Sequence, residues 1–277
     1  MNNKIDNLIN FVNENNKNNE IVRSKKKSIK LFIINILTIV LLISSGMGMK
    51  AYLDQKKDAD EVIEVNKKLK KQVIINNTDN STDIDTDIDD NKQEETTKKE
   101  DYSALVKQNS DMVGWLKVFG TEIDMPVVKS TNNEFYLTHD FNKKWNSMGW
   151  AFTDYRNTFP DLNSNTIIYG HTYKRTTIFS TLKDVLEEEW LNDNSLHYII
   201  FNTLEEDSVW EIFSVYTIKE TSDYLITDTN DEFINMIKNR SIKNFEKDVD
   251  GSNKIITLST CYKNSNTRLV VHAKKVS

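Results

Sequence analysis

Two hydropathy regimes divide the chain near residue 100. Residues 1–28 are polar and Asn-rich and close on the basic cluster Arg23, Lys25, Lys26 and Lys27. Ile29 to Met49 is then apolar, interrupted by Lys30, Asn35 and a few small or hydroxylated residues. An apolar run of about 20 residues matches the hydrocarbon thickness of a bilayer. The basic flank is N-terminal, which predicts a cytoplasmic N-terminus and an outward-facing remainder. A cleaved signal peptide competes with the anchor; its n-region would be unusually long, although Ser44-Ser45-Gly46 is small enough to be cut. Residues 50–75 predict a charged helix with Leu53, Val62, Val65 and Leu69 on a loose apolar stripe. Residues 76–100 are acidic and low in complexity, and bury too little to offset ordering entropy, so a disordered spacer is expected. Their repeated Asp lacks the glycine and closing Glu of a calcium loop. The expected organisation is a tail (1–28), a membrane anchor (29–49), a juxtamembrane helix and spacer (50–100) and an extracellular domain (101–277).

From Tyr102 the pattern shortens to strands. Trp115–Val118 and Glu122–Met125 flank a turn at Phe119-Gly120-Thr121 and read as a hairpin, with Pro126 marking an edge or bulge. Gly149–Thr153, Asn165–Tyr169, Leu196–Phe201, Val209–Ile218, Lys254–Thr260 and Arg268–Ala273 read as further strands. Thr176 or Thr177 is positioned to cap a helix carrying Phe179, Leu182, Leu186 and Trp190 on one face. A second helical pattern lies in Asp231–Phe245, with Phe233, Ile234 and Ile237 at helical spacing. Many short strands with few helices predict a mainly β fold, a closed or nearly closed barrel of about eight strands with peripheral helices.

Composition sharpens this picture. All five Trp, all four His, both Pro and the single Cys follow Asp101, so the packed core belongs to the C-terminal part. A net charge of -6 argues against a nucleic-acid partner, which needs clustered positive charge. One cysteine excludes an intrachain disulfide, and the scattered His show no metal-ligand spacing. No cofactor and no metal are expected.

The candidate chemistry lies at strand ends. Cys261 follows Ile255-Ile256-Thr257-Leu258-Ser259-Thr260. Period 2 puts Ile256, Leu258 and Thr260 on the core face and Thr257, Ser259 and Cys261 on a more polar one. A lone Cys is equally at home as a small buried apolar residue. Arg268 opens the next strand after the short loop Tyr262–Thr267, so an antiparallel pair would bring it near Cys261. There a guanidinium would favour a thiolate or donate to an oxyanion; the alternative is a strand-edge Arg facing water. His171 ends another strand after Gly170, and cysteine chemistry needs such a proton donor for a leaving amine. His139 lies in a polar loop, whereas His197 and His272 read as structural residues within strands.

These residues resemble a known family. Thr257-Leu258-Ser259-Thr260-Cys261 is similar to the TLxTC signature of sortases, the cysteine transpeptidases of Gram-positive cell surfaces. Asn165–His171 resembles their histidine motif, and Arg268 falls where the family's arginine follows the cysteine. The likeness runs from about Met112 to the end. Gly114-Trp115-Leu116, Gly120–Val127, Asn132–Leu137 and Thr153–Asn157 point to the class B branch, as does the helix before the cysteine strand. The histidine is followed by Thr172-Tyr173 rather than Asn-Met, and Tyr262 follows the cysteine where some relatives carry an acidic residue.

The resemblance implies a sortase-type barrel and a thioester mechanism with His171, Cys261 and Arg268 as catalytic residues. It implies substrate contacts at Asn133, Leu137, Tyr224, Leu225 and Ser259. Its substrates would be surface proteins with a C-terminal sorting signal, cleaved after Thr, and its acceptor a peptidoglycan precursor amine. Asp154 would orient His171 only if the fold brings it close. Two other readings stand beside this one: an anchored, non-enzymatic binding module, and a cysteine peptidase releasing its substrate to water.

Overall fold

The computed structural model describes residues 2–79, 100–173, 177–262 and 264–277. Most of the predicted acidic spacer, and Thr176 as a helix cap, lie outside the described residues. The chain forms two compact units, Met1–Asp54 and Gln55–Ser277.

The first unit is helical throughout its described length, as part of helix α1 (Asn2–Asp79). Its apolar stretch is exposed around the whole circumference, from Ile29 and Phe32 to Leu42 and Ile43. A helix apolar on all sides suits lipid rather than water, and this one is long and apolar enough to cross a membrane.

The second unit takes in the rest of α1. Ala59, Val62, Leu69 and Val73 are buried there, with Val65 packed against the same core. This matches the predicted stripe except for Leu53, which is exposed. Polar contacts add to the seal. Lys70 pairs with Asp124 at 2.9 Å, and the Asp58 carboxylate accepts from the Ser147 backbone N–H at 3.0 Å.

The body of this unit is a closed barrel of eight strands in the order β1-β2-β3-β4-β7-β8-β6-β5. These are β1 (Met112–Val118), β2 (Asp124–Lys129), β3 (Phe152–Thr153), β4 (Asn165–Tyr169), β5 (Tyr198–Thr203), β6 (Val209–Lys219), β7 (Ile255–Tyr262) and β8 (Asn264–Lys275). The predicted hairpin is β1–β2, antiparallel, with Pro126 opposite Trp115. Pairing between β2 and β3 is confined to Val128 and Lys129, so Pro126 lies where β2 lacks a neighbour on that side. Closure gives every strand a neighbour on both sides over at least part of its length.

The predicted strand Gly149–Thr153 shrinks to β3. Gly149 has a positive φ of 61° and the Trp150 N–H is drawn to the Tyr136 carbonyl, so the chain is irregular until Phe152. The helix expected after Thr177 is instead a 3-10 segment, Ser180–Leu186, followed by the short α3 (Glu188–Asn192), the next α-helix after α2 (Ser103–Gln108). Three residues per turn align Phe179, Leu182 and Val185, and these three are fully buried while Leu186 is not. His197 precedes β5 rather than lying within it.

Helix α4 (Asp231–Arg240) forms as expected and precedes the cysteine strand. Asn230 caps it by accepting from the Phe233 N–H at 2.9 Å. Phe233, Ile234 and Ile237 pack with Phe213, Tyr216, Tyr224, Ile255 and Val270 in a second apolar cluster. This covers the β7 face that bears Thr257 and Ser259, which the alternation had marked as polar. Both faces of β7 are therefore buried, Ile256 and Leu258 inside the barrel and Thr257 and Ser259 beneath that cover.

Candidate active site

The site follows from strand register. β4 and β7 run parallel, paired from Asn165↔Ile255 to Tyr169↔Ser259. His171 and Cys261 each lie two residues beyond that last pair, at the same end of the barrel. On the other side of β7, antiparallel β8 sets Arg268 directly opposite Cys261. Opposed residues of an antiparallel pair share a face, with Cβ atoms about 5 Å apart. β7 continues one residue past Cys261, to Tyr262, and β8 begins at Asn264, so Asn264–Thr267 of the predicted loop are strand instead. The register shifts between Cys261 and Tyr262, an irregularity of the kind that re-aims a side chain.

His171, Cys261 and Arg268 line one cavity of about 600 Å³. Asn133, Leu137, Tyr224, Leu225 and Ser259 line the same cavity. The Ser259 and Tyr224 hydroxyls are hydrogen-bonded at 3.0 Å, which ties β7 to the segment after β6.

Gly170 matters here through packing. A Cβ on it would lie 2.6 Å from the Phe179 ring, so only glycine lets the aromatic close over the strand end. The residues flanking His171 are clamped to the residue before Cys261. The Thr260 hydroxyl donates to the Gly170 carbonyl at 2.6 Å, and the Thr172 hydroxyl meets Thr260 Oγ1 at 2.6 Å.

His171 is half-buried, and its Nε2 lies 3.1 Å from the Leu137 carbonyl. A carbonyl only accepts, so Nε2 carries the proton and Nδ1 is the basic nitrogen. Burial pushes the imidazole below its ordinary pKa, and the Leu137 carbonyl partly opposes this. Arg268 does not face water. Its side chain is 19% exposed and Nη2 is paired with the Glu220 carboxylate, which also lines the cavity.

Asp154 does not serve as a partner of His171. Its carboxylate is fully buried and takes hydrogen bonds from Asn133, Tyr169 and Arg156. Burial alone would raise this carboxyl, but those bonds outweigh it and hold the group at about 2. The remaining histidines are structural. His139 stacks on Phe135 at 4.1 Å, His197 bonds the Trp190 carbonyl at 3.1 Å, and His272 is buried within β8. Among the described residues no three His, Cys, Asp or Glu side chains gather into a metal-holding group.

The family match has nearly the same extent as this barrel. The sequence model of the sortase domain covers residues 116–276. Sortase B of Staphylococcus aureus is 30% identical over 253 residues, 88% of this chain and 96% of that protein.

The chain belongs to the sortase family.

It is a cysteine transpeptidase, most like the class B sortases. The crystal structure of Clostridium perfringens sortase B superposes with a TM-score of 0.60 at 32% identity, over 64% of this chain and all of that one. A Staphylococcus aureus sortase B–substrate complex gives 0.59 at 34% identity, over 64% of this chain and 84% of that one. Sequence reasoning on this sortase had missed Thr260, Thr172 and Glu220 as neighbours of the site. Thr260 was legible as part of the TLxTC motif, although alternation assigned it only to the core face. Glu220 carried no signal, because its role depends on β6 lying beside β8.

Proposed function

We propose that this sortase is anchored by the apolar helix, with its N-terminus in the cytoplasm and its barrel outside the cell. Its substrates are surface proteins carrying a C-terminal sorting signal. The Cys261 thiolate attacks the carbonyl of a Thr in that signal. The C–N bond after Thr breaks, a Cys261 thioester forms, and the leaving amine takes a proton from the His171 imidazolium. An amine of a peptidoglycan precursor then attacks the thioester and gives a proton to His171. A new amide forms and the thiolate returns. Arg268 donates to the oxyanion and steadies the substrate, and Asn133, Leu137, Tyr224, Leu225 and Ser259 contact the bound peptide.

One observation carries this reading: the nucleophile, the proton carrier and the cation share a single cavity at one end of the barrel. Nucleophilic acyl transfer requires such convergence. The basic cluster Arg23–Lys27 before the apolar helix supports the orientation.

The test is mass spectrometry of the protein incubated with Thr-containing sorting peptides, with and without an amine acceptor. A thioester on Cys261 that is absent from Cys261→Ala, and an amide product when acceptor is present, is the expected result. Hydrolysis indifferent to any amine would instead make the enzyme a peptidase. No adduct with any peptide would overturn the mechanism.

A further inference from the structure

Asp154 has a buried carboxylate with five hydrogen bonds, two of them from the cavity-lining residues Asn133 and Tyr169. Oδ1 accepts from the Arg156 backbone N–H at 3.0 Å and from Arg156 Nε at 2.7 Å. Oδ2 accepts from Arg156 Nη2 at 2.8 Å, Tyr169 Oη at 2.8 Å and Asn133 Nδ2 at 3.0 Å. Arg156 Nη2 also donates to the Leu225 carbonyl at 2.9 Å. Three cavity-lining residues from separate segments, Asn133, Tyr169 and Leu225, are thus joined through one ion pair.

The arrangement also sets the polarity of Asn133. Its Oδ1 accepts from the Tyr155 backbone N–H at 2.9 Å while its Nδ2 donates to Asp154. A flipped amide would set oxygen against the carboxylate and N–H against N–H, so this orientation is locked. One bond of Nδ2 is spent on Asp154. Its second N–H has no protein partner among the described residues and belongs to a side chain that lines the cavity.

We infer that Asp154, braced by Arg156, is a positioning residue that fixes Asn133 as a hydrogen-bond donor toward the cavity, so that this subsite takes a carbonyl of the bound peptide, main-chain or side-chain amide, and rejects an ammonium. This rests on the reading of the cavity as the peptide site. Asp154 touches no reacting atom. It acts on binding and leaves the chemistry at Cys261 alone. A carboxylate already satisfied by an arginine and a tyrosine holds the amide without competing for the substrate.

The test uses full-length protein in detergent micelles with an acetylated pentapeptide library carrying one fixed Thr. Binding is measured in the Cys261→Ala background, where no turnover is needed, and kcat and KM are measured with Cys261 intact. Asp154→Asn is expected to weaken binding and raise KM about tenfold, with kcat within about threefold. Arg156→Gln, on a side chain 41% exposed, and Tyr169→Phe give smaller losses of the same kind and carry the test if Asp154→Asn fails to fold. With Asn133→Ala in place, Asp154→Asn should add little, because the two act as one unit. Peptides offering Lys in place of Gln or Asn at the affected position should bind less well to the parent. A fall in kcat with KM unchanged, or additive losses with Asn133→Ala, overturns the inference. Peptide binding by Cys261→Ala with no thioester on the intact protein would sink the transpeptidase mechanism alone, and no binding by any peptide would sink both.

Discussion

Cys261 on β7 and His171, just past the end of β4, stand at matching positions, each two residues beyond the parallel pair Tyr169↔Ser259. Parallel strands run to the same side of a sheet, so a thiol and an imidazole far apart in sequence come to line one cavity from neighbouring strand ends. Antiparallel β8 then brings Arg268 to Cys261 from the other side. Strands hold geometry better than loops, which suits a reaction that tolerates little misplacement.

The clamp between the two strand ends is open to test. Thr260 Oγ1 bridges the Gly170 carbonyl and the Thr172 hydroxyl. Thr260→Val keeps the shape and removes both bonds, leaving a buried carbonyl unpaired at a cost of about 1–3 kcal/mol. We expect thioester formation to slow about tenfold, with Thr260→Ser restoring most of the rate. Stopped-flow with mass detection reads this directly, and an unchanged Thr260→Val rate would mean the clamp is incidental.

Glu220 holds the guanidinium of Arg268. It is the more exposed partner, so its charge is partly screened and the pair contributes little stability. Its effect should appear in function instead. Glu220→Gln keeps an acceptor and is expected to cost severalfold in kcat/KM, with Glu220→Ala costing more and Tm unmoved. Arg268→Lys should fall further than Glu220→Ala, since an ammonium cannot reproduce the planar fork.

His272 sets an acid limit on stability. It sits among Tyr216 Oη at 3.0 Å from Nε2 and Thr257 Oγ1 at 2.9 Å from Nδ1, and Thr257 passes its own proton to Asn165 Oδ1 at 2.7 Å. That chain suits a neutral ring: Tyr216 donates to Nε2 and Nδ1–H donates to Thr257. Burial, with the charge of Arg240 adding to it, pushes the imidazole down to about 3. The unfolded chain binds this proton near pH 6.5 and the folded chain only near 3, so stability falls as pH drops through that window and levels off below it. The loss is on the order of 4 kcal/mol at pH 3. Urea titrations from pH 7 to 4 should show the fall, and His272→Gln should flatten it. A slope unchanged by that substitution would assign the acid sensitivity to other groups.

The end of α1 is expected to belong to the folding unit. Ala59, Val62, Leu69 and Val73 are buried against the barrel. Each apolar side chain of this size contributes about 1–3 kcal/mol on burial. A protein beginning at residue 101 should melt at least about 10 °C below one beginning at residue 55. Equal melting temperatures in differential scanning calorimetry would show the helix to be dispensable.

Local physics made much of this chain legible. An apolar run of bilayer length, the 3.6-residue spacing of Phe233, Ile234 and Ile237, and the alternation within short strands each follow from neighbours along the chain. The three chemistry-bearing residues were legible through the family resemblance, because each sits in or just after a short motif: NTIIYGH, TLSTC and the Arg268 that follows the cysteine. Alternation failed where covering came from afar: Thr257 and Ser259 are buried because α4 and Tyr224 pack over them. Periodicity failed at Phe179–Leu186, where a tight 3-10 turn replaced the expected helix. What only the tertiary structure decided was pairing. That β4 lies beside β7, that β6 lies beside β8, and that Asp154 serves Asn133 rather than His171 are contacts across long loops. Their free energy comes from closing the barrel and satisfying buried groups, and no local pattern records which distant strand will be the neighbour.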